Sequence, residues 1–353
     1  MFYPHLYLTQ SRWIEVPRAF MSACIDALRQ WQAANRTRQV STHEAWGQNK
    51  QLTLPQAIGG KLPVQTSSIT TDHAPLQSHL NALKSELQTI TSELLHSQEL
   101  LFQANVERQM LNLALTTARD LQENLLPDGS PQVARLDIYA CSKPAHEING
   151  DFYDFIHSDQ PSLTLTIGDV SGKGIAAGLL MTMTRKVLRT GQKVLLQTSP
   201  RSMLKYANRD LHEEFANTGT FATAFVGQFA CESRLLQYAN AGHSPVIYRA
   251  AAADAQLLPA DSAPIGVLPE CDVTNHQMHL WPGDILVVGS DGITDARNVA
   301  GEMFGLERLL NLINKHADES APEIVNAIFR AVAAFEGGRS QDDDQTLVVL
   351  KGV

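Results

Sequence analysis

Apolar positions fall into three regimes along the chain. From Leu76, alternating steps of four and three land on Leu80, Leu83, Leu87, Ile90, Leu94, Ser97, Leu101, Ala104, Arg108, Leu111, Leu115, Ala118, Gln122 and Leu125. Twelve of these fifteen positions, Leu76 included, are apolar. A heptad seam sustained for about seven repeats is the pattern of a coiled coil. No Gly or Pro interrupts it, and Pro127, Asp128 and Gly129 end it. The spacing predicts one long helix over 76–125. With no turn residue to fold it back, the helix is expected to pair in parallel with a second copy, giving a homodimer. Its alternative is an amphipathic helix packed on its own domain. Ser97 and Arg108 weaken the middle of the seam.

Residues 1–72 carry a weaker pattern. Pro17 can open a helix with Phe20, Cys24, Leu28 and Trp31 on one face. A polar stretch over 35–71 follows, broken by Pro55, Gly59, Gly60 and Pro63. Trp13, Trp31 and Trp46 suit either a small core or a partner surface. Beyond residue 127 the period changes to short apolar runs separated by turns. Strands are expected at 134–141, 162–168, 222–230, 234–240, 245–249, 273–280, 284–290 and 346–351. Helices are expected at 174–190, 200–216, 303–314 and 321–335. Short links such as Gly242–Pro245 imply antiparallel pairing. The reading is an α+β domain of antiparallel sheets with helices outside, not a doubly wound parallel sheet. The chain thus divides into an N-terminal segment of regulatory character (1–72), a dimerising linker helix (73–126) and a large α+β domain (127–353).

Composition narrows the functions. Among 353 residues, 28 are basic and 37 acidic, a formal charge of −9. A chain-wide nucleic-acid footprint needs a basic excess and is excluded; bound cations or a basic partner suit the balance. The hydrophobic share of 44% is enough to build a core, so the chain is not disordered. Cys24, Cys141, Cys231 and Cys271 form no C-x-x-C pair, which reads as reduced thiols of a cytoplasmic protein. No run is long enough to span a membrane, and the first residues do not read as a signal peptide. No phosphate-cradling Walker loop is present.

Four acidic places carry the candidate chemistry, each beside an apolar run: Asn149-Gly150-Asp151-Phe152-Tyr153-Asp154, Gly168-Asp169-Val170-Ser171-Gly172-Lys173-Gly174, Ser290-Asp291-Gly292-Ile293-Thr294-Asp295, and Asp342-Asp343-Asp344-Gln345-Thr346. A carboxylate at the mouth of a buried strand is aimed by a rigid element. Several converging there repel one another unless a cation lies between them. Oxygen-only donors select hard ions such as Mg²⁺, Mn²⁺ or Ca²⁺. Two such ions sharing a water are a known device for hydrolysing phosphate esters.

In order, GDFYDF (150–155), GDVSGKGIAAGLLM (168–181), NAGHSPVIYR (240–249), PIG (264–266), GDILVVGSDGITDA (283–296) and DDQTLVVL (343–350) resemble the metal-dependent protein phosphatases of type 2C. The closer likeness is to the bacterial branch typified by sporulation stage II protein E and the phosphatases of stress sigma-factor switches. ARDLQENLLP (118–127) resembles the helix that precedes the catalytic domain there. The likeness covers about 118–351. It implies a four-layer sandwich of two antiparallel sheets flanked by helices, and two Mn²⁺ or Mg²⁺ ions. Asp151, Asp169, Asp291 and Asp343 would be the catalytic ion ligands, activating a water, with the Val170 carbonyl as a backbone ligand. Asp343 is taken as the first acid of the family's D-D-x-T pattern, with Asp344 as the neighbouring candidate. The implied substrate is a phosphorylated protein, resembling an anti-sigma-factor antagonist in a partner-switching pathway.

Where the family commonly has Gly-Gly, this chain has Asn149-Gly150; Asn tolerates left-handed backbone nearly as well. Gly150, Gly168 and Gly292 are expected to let backbone pass close to the ions. No residue stands out for the phosphate-holding Arg of the eukaryotic branch; Lys143 and Arg339 are guesses, and Lys173 reads as an exposed helix-start residue. His243 reads as a satisfied turn histidine, Thr223 as a strand residue near the site. Asp154 and Asp295 are either outer acids of the site or surface turn residues. Helix 174–190 starts at the Asp169 loop, so rotation of the coiled coil against it is a route to displacing Asp169. Two competing functions are a non-catalytic dimeric scaffold with a phosphatase-like fold and a hydrolase of nucleotides or small phosphoesters.

Overall fold

The computed structural model describes residues 74–157 and 162–353. The expectations for the N-terminal segment, including the Pro17 helix, Cys24 and the three tryptophans, lie outside the described residues. The seam folds as one continuous helix, α1 (Ala74–Glu123), with Pro75 in its first turn. Over its first half the apolar side chains are exposed, Leu83 at 60% and Leu87 at 65%, while towards its end Leu115 and Ala118 are half-buried and Gln122 is buried. Residues 82–353 form one compact unit.

Ten strands follow: β1 (Leu136–Lys143), β2 (Asp151–His157), β3 (Ser162–Val170), β4 (Ala222–Ala230), β5 (Leu235–Ala241), β6 (Val246–Arg249), β7 (Gln256–Leu257), β8 (His276–His279), β9 (Ile285–Gly289) and β10 (Gln345–Gly352). They make two five-stranded sheets, ordered β1-β10-β9-β6-β7 and β2-β3-β4-β5-β8. All pairings are antiparallel. The link at Gly242–Pro245 departs from the expected hairpin. β5 pairs with β4 and β8, while β6 pairs with β7 and β9. The link therefore carries the chain from one sheet to the other.

Helices α2 (Ile175–Val194) and α3 (Pro200–Thr218) cover the second sheet; α4 (Gly305–Lys315) and α5 (Ala321–Glu336) cover the first. The ends follow local sequence. Ser199 and Ser202 cap α3 reciprocally, with Pro200 at its start and Gly219 in left-handed backbone at its end. Ser320 and Glu323 do the same for α5, ended by Gly337. The middle core interleaves both sheets: Ile138, Leu286, Val288, Val348 and Leu350 meet Phe155, Leu165, Ile167, Phe225 and Leu236. The outcome is the expected four-layer helix–sheet–sheet–helix sandwich, and one rim of it brings together strand ends of both sheets.

Candidate metal centre

The candidate ligands reach this rim in pairs, one pair from each sheet. Asp151 opens β2, a strand that hydrophobic periodicity missed because Asp154 breaks its aromatic run. The antiparallel register sets Asp151 directly opposite Asp169, near the end of β3. Opposed Cα atoms in such a ladder lie about 4.5–5.5 Å apart, so backbone pairing forces the two carboxylates together. From the other sheet, Asp291 begins a short 3-10 turn (Asp291–Ile293) after β9, and Asp343 and Asp344 lead into β10. β9 and β10 are neighbours, with Gly289 opposite Leu347. Ser290 stitches their ends: its N–H donates to the Thr346 carbonyl at 3.0 Å, and its hydroxyl donates to the Asp344 carbonyl at 3.1 Å. Val170, fully buried, donates its N–H to the Gly150 carbonyl at 3.2 Å, closing the Asp151 and Asp169 loops on each other.

The electrostatics are those of crowded acids. Burial, then the charge of Asp169, push the Asp151 carboxyl well above the ordinary carboxylate range. Burial, then Asp291, Asp343 and Asp344, push Asp169 up to about 7. Asp291 is raised by burial and then by Asp343, and Lys173 pulls it back down. The five acids thus feel one another across both sheets. Asp151 is 1% exposed and its Oδ2 has no hydrogen-bond partner. A desolvated, unpaired carboxylate oxygen is costly unless a cation shares it. The donor set is all oxygen, which fits a hard divalent ion. Among the described residues, no three His, Cys, Asp or Glu side chains are already grouped tightly enough to hold an ion. Asp343 shows why: its Oδ2 is turned onto the Lys173 ammonium, 3.1 Å away.

Asp344 has another task. Its Oδ1 accepts from the Ala145 N–H at 2.7 Å and its Oδ2 from the Gly150 N–H at 2.9 Å. Both oxygens brace the loop that presents Asp151. Asp342 points away and is gripped by Arg339 at 2.8 and 3.1 Å. The expected reason for Gly292 shifts from ions to backbone: a Cβ there would lie 2.0 Å from the Asp344 carbonyl oxygen.

Several neighbours are corrected. Asn149 is not among the described non-glycine residues with positive φ, which are Arg135 and Arg234. Its side chain works instead: Oδ1 accepts from the Asp151 N–H at 2.7 Å and Nδ2 donates to Ser142 Oγ at 3.1 Å. Asp154 is neither an acid of the site nor a surface residue. It is 1% exposed and pairs with Arg189 at 2.8 Å and Arg185 at 3.2 Å, both on α2. Asp295 is the exposed alternative, its N–H donating to the Asp291 carbonyl at 2.8 Å. Lys143 places its ammonium 4.3 Å from the Phe329 ring centre. His243 is a buried turn residue, but only partly satisfied: its Nε2 has no hydrogen-bond partner. Asn240 closes its turn from both sides, and its Nδ1 meets Thr223 Oγ1 at 2.8 Å. Burial, partly offset by the Gly289 backbone, lowers its pKa to about 4.

Gln122 is the residue that sequence reasoning passed over. It is the buried residue of α1. Its Nε2 donates to the Asn149 carbonyl at 2.9 Å, and its Oε1 accepts from the Asn149 N–H at 2.8 Å. A longer contact of 3.5 Å reaches the Gly178 carbonyl in α2. The sequence held a signal, since Gln122 is a polar residue on the apolar seam.

Similarity to known proteins follows the same residues. Residues 159–352 match the family described as stage II sporulation protein E. That span includes Asp169, Asp291 and Asp343 and starts after Asp151. The phosphoserine phosphatase RsbU of Bacillus subtilis is 30% identical over 290 residues, covering 77% of this chain and 84% of that protein. The phosphoserine phosphatase RsbP of the same organism is 24% identical over 254 residues, 70% of this chain and 59% of that one. Among solved structures, the SiaA-PP2C domain of Pseudomonas aeruginosa shares the fold, with a TM-score of 0.63 at 22% identity over 70% of this chain and 98% of that domain. With more than half its length matched and the acid-bearing strand ends in place, the chain belongs to the stage II sporulation protein E family.

Proposed function

We propose that this protein is a metal-dependent phosphatase that removes phosphate from phosphoserine or phosphothreonine on a regulatory protein. The observation that carries the reading is the meeting of Asp151, Asp169, Asp291 and Asp343, far apart in sequence, at one rim of the sandwich. Two phosphoserine phosphatases among its relatives support it. Asp151, Asp169, Asp291 and Asp343, with the Val170 carbonyl, would hold two Mn²⁺ or Mg²⁺ ions. When bound, the ions would supply charge neutralisation for the phosphoryl oxygens and a more acidic water. The chain's own residues do the rest. Asp344 spends both oxygens on backbone and keeps the Asp151 loop rigid, which leaves Asp343 as the ligand. Thr223 and His243 back the Asp169 strand from behind, and His243 stays neutral there. Holding an ion takes rotation of Asp343 away from Lys173.

The substrate we propose is a small phosphorylated regulator of the anti-sigma-factor-antagonist kind, in the cytoplasm; among the described residues no helix is long and apolar enough to cross a membrane. The exposed seam of α1 is where a second copy would pair. Regulation has a physical route through Gln122, because a turn of α1 would drag the Asn149–Asp151 loop with it.

The test is turnover of a phosphoserine peptide and of p-nitrophenyl phosphate by the full chain with Mn²⁺. Asp169→Asn and Asp291→Asn serve as controls. Turnover lost in EDTA and in both variants is the expected result. No metal-dependent turnover on any phosphoprotein would leave a dimeric scaffold with a phosphatase-like fold, and preference for a nucleotide would leave a small-phosphoester hydrolase.

A further inference from the structure

We infer that Lys173 is the group that takes hold of the phosphoryl oxygens of the substrate and of the phosphate released from it. The inference rests on the phosphatase reading and names the residue that meets the substrate there. A phosphoryl dianion approaching this rim faces five carboxylates, so it needs a cationic donor beside the ions. Among the described residues, the other basic side chains near the rim and along α2 have partners of their own. Arg339 grips Asp342 with two hydrogen bonds. Lys143 lies over the Phe329 ring. Arg185 and Arg189 are held by Asp154, and His146 lies toward Asp344. Lys173 is the one that reaches the candidate ligands: its ammonium is 3.1 Å from Asp343 Oδ2, donates to the Asp342 carbonyl at 2.5 Å and acts on Asp291.

Its present grip is of the kind that can be exchanged. Both partners are half-exposed, Lys173 at 50% and Asp343 at 49%, and an exposed lysine–aspartate pair is weak. An ammonium has three donors, so a phosphoryl oxygen can be met before Asp343 is released. A dianion with several acceptor oxygens is also the stronger partner. The backbone provides the travel. Gly172 and Gly174 sit at φ +104° and +74°, and a Cβ at either would find nothing within 4 Å, so the glycines serve backbone freedom and not crowding. Ser171 clips the loop's start to Phe221, just before β4, through reciprocal hydrogen bonds at 2.9 Å, leaving the Lys173 end to move. Just beyond, α2 starts at Ile175, with Gly174 before it supplying no side-chain cap, so its first N–H groups favour negative charge beside the lysine.

The experiment uses the full chain loaded with Mn²⁺, with Lys173→Gln and Lys173→Arg. Inhibition by inorganic phosphate and KM for a phosphoserine peptide are measured, and Mn²⁺ affinity is read by electron paramagnetic resonance. In Lys173→Gln, both the phosphate inhibition constant and KM should rise roughly tenfold to a hundredfold, the scale of one charge-assisted hydrogen bond. Mn²⁺ affinity should hold or tighten, because a competing cation has gone from Asp343. Lys173→Arg should recover most of the loss. Unchanged phosphate inhibition would overturn the proposal, and so would a fall in Mn²⁺ affinity that accounts for the lost activity, since Lys173 would then only position Asp343. If the wild-type chain turns over no phosphoprotein, the phosphatase reading fails on its own. Calorimetric binding of inorganic phosphate by the Mn²⁺-loaded chain still judges Lys173: binding lost in Lys173→Gln sustains it, and no binding or unaltered binding sinks it.

Discussion

Strand β2 buries two aspartates, and the protein treats them in opposite ways. Asp151 and Asp154 are each 1% exposed, three residues apart. At the rim, Asp151 meets only further acids and hydroxyls, and one of its oxygens has no partner. Under α2, Asp154 meets two arginines. Even there burial outweighs both arginines, and the Asp154 carboxyl is raised. Neither acid is therefore present for raw stability. Asp154 fixes how α2 lies on β2, and hence where the Lys173 loop ends. Asp151 is kept where its charged form is costly, with its carboxyl raised by burial and by Asp169. A buried acid with arginines marks structure; one among acids marks a site.

Substitutions at the two regions should separate them. The largest effect belongs to the rim: Asp169→Asn should cut Mn²⁺-dependent turnover on the order of 10³-fold or more. The same change should stabilise protein stripped of divalent ions by on the order of 2 kcal/mol at pH 7.5, measured by urea unfolding. The sign follows from the raised pKa. The folded carboxyl holds its proton up to about 7, so its contribution to stability is present below the unfolded value near 4 and lost as pH rises. Loss of both activity and stability would place Asp169 with Asp154 and break the contrast.

Asp154→Ala comes next. It should cost about 3 kcal/mol of unfolding free energy, the low end for a broken buried pair, because Arg189 is 36% exposed. A cost near zero would mean the arginines find water and α2 needs no such anchor.

His243 sharpens the contrast from the neutral side. Its folded pKa of about 4 lies below the ordinary 6.5. Its contribution is whole above the unfolded pKa and is lost as pH falls toward 4, by up to about 3 kcal/mol. His243→Gln should flatten that part of the pH–stability profile relative to wild type. A profile parallel to wild type would show that the ring is hydrated.

The smallest expected effect is at Gln122. Gln122→Ala should cost about 1–2 kcal/mol, the scale of two backbone-directed hydrogen bonds in a buried place. It should also change Mn²⁺-dependent turnover while unfolding remains cooperative. Unaltered turnover, together with unaltered activity in a chain truncated to begin near Leu113, would disconnect α1 from the rim.

Much of this was legible before folding. Strand β4 has the bounds its apolar run predicts, and Ser199, Pro200 and Gly219 bracket α3 as capping chemistry requires. The four acids announced themselves by standing beside apolar runs. What was not legible depended on partners remote in sequence. The Gly242–Pro245 link looks like a hairpin because a short turn reads alike whether the next strand rejoins its own sheet or crosses to the other. Asp154 looked like a companion of Asp151 because nothing local indicates that Arg185 and Arg189 will land on it. Asp344 and Asp343 could not be told apart, because Ala145 and Gly150, which claim Asp344, lie some two hundred residues earlier.

By itself the sequence determined the periodic parts: the long helix, the alternation of buried strands, the helix caps and the types of side chain available for chemistry. These rest on contacts within a few residues, where spacing along the chain is spacing in space. Only the tertiary structure decided which acids share a rim, which acid meets two arginines, and which lysine lies against Asp343. Desolvation and Coulomb forces act over a few ångströms regardless of sequence distance, and two sheets laid face to face set those ångströms.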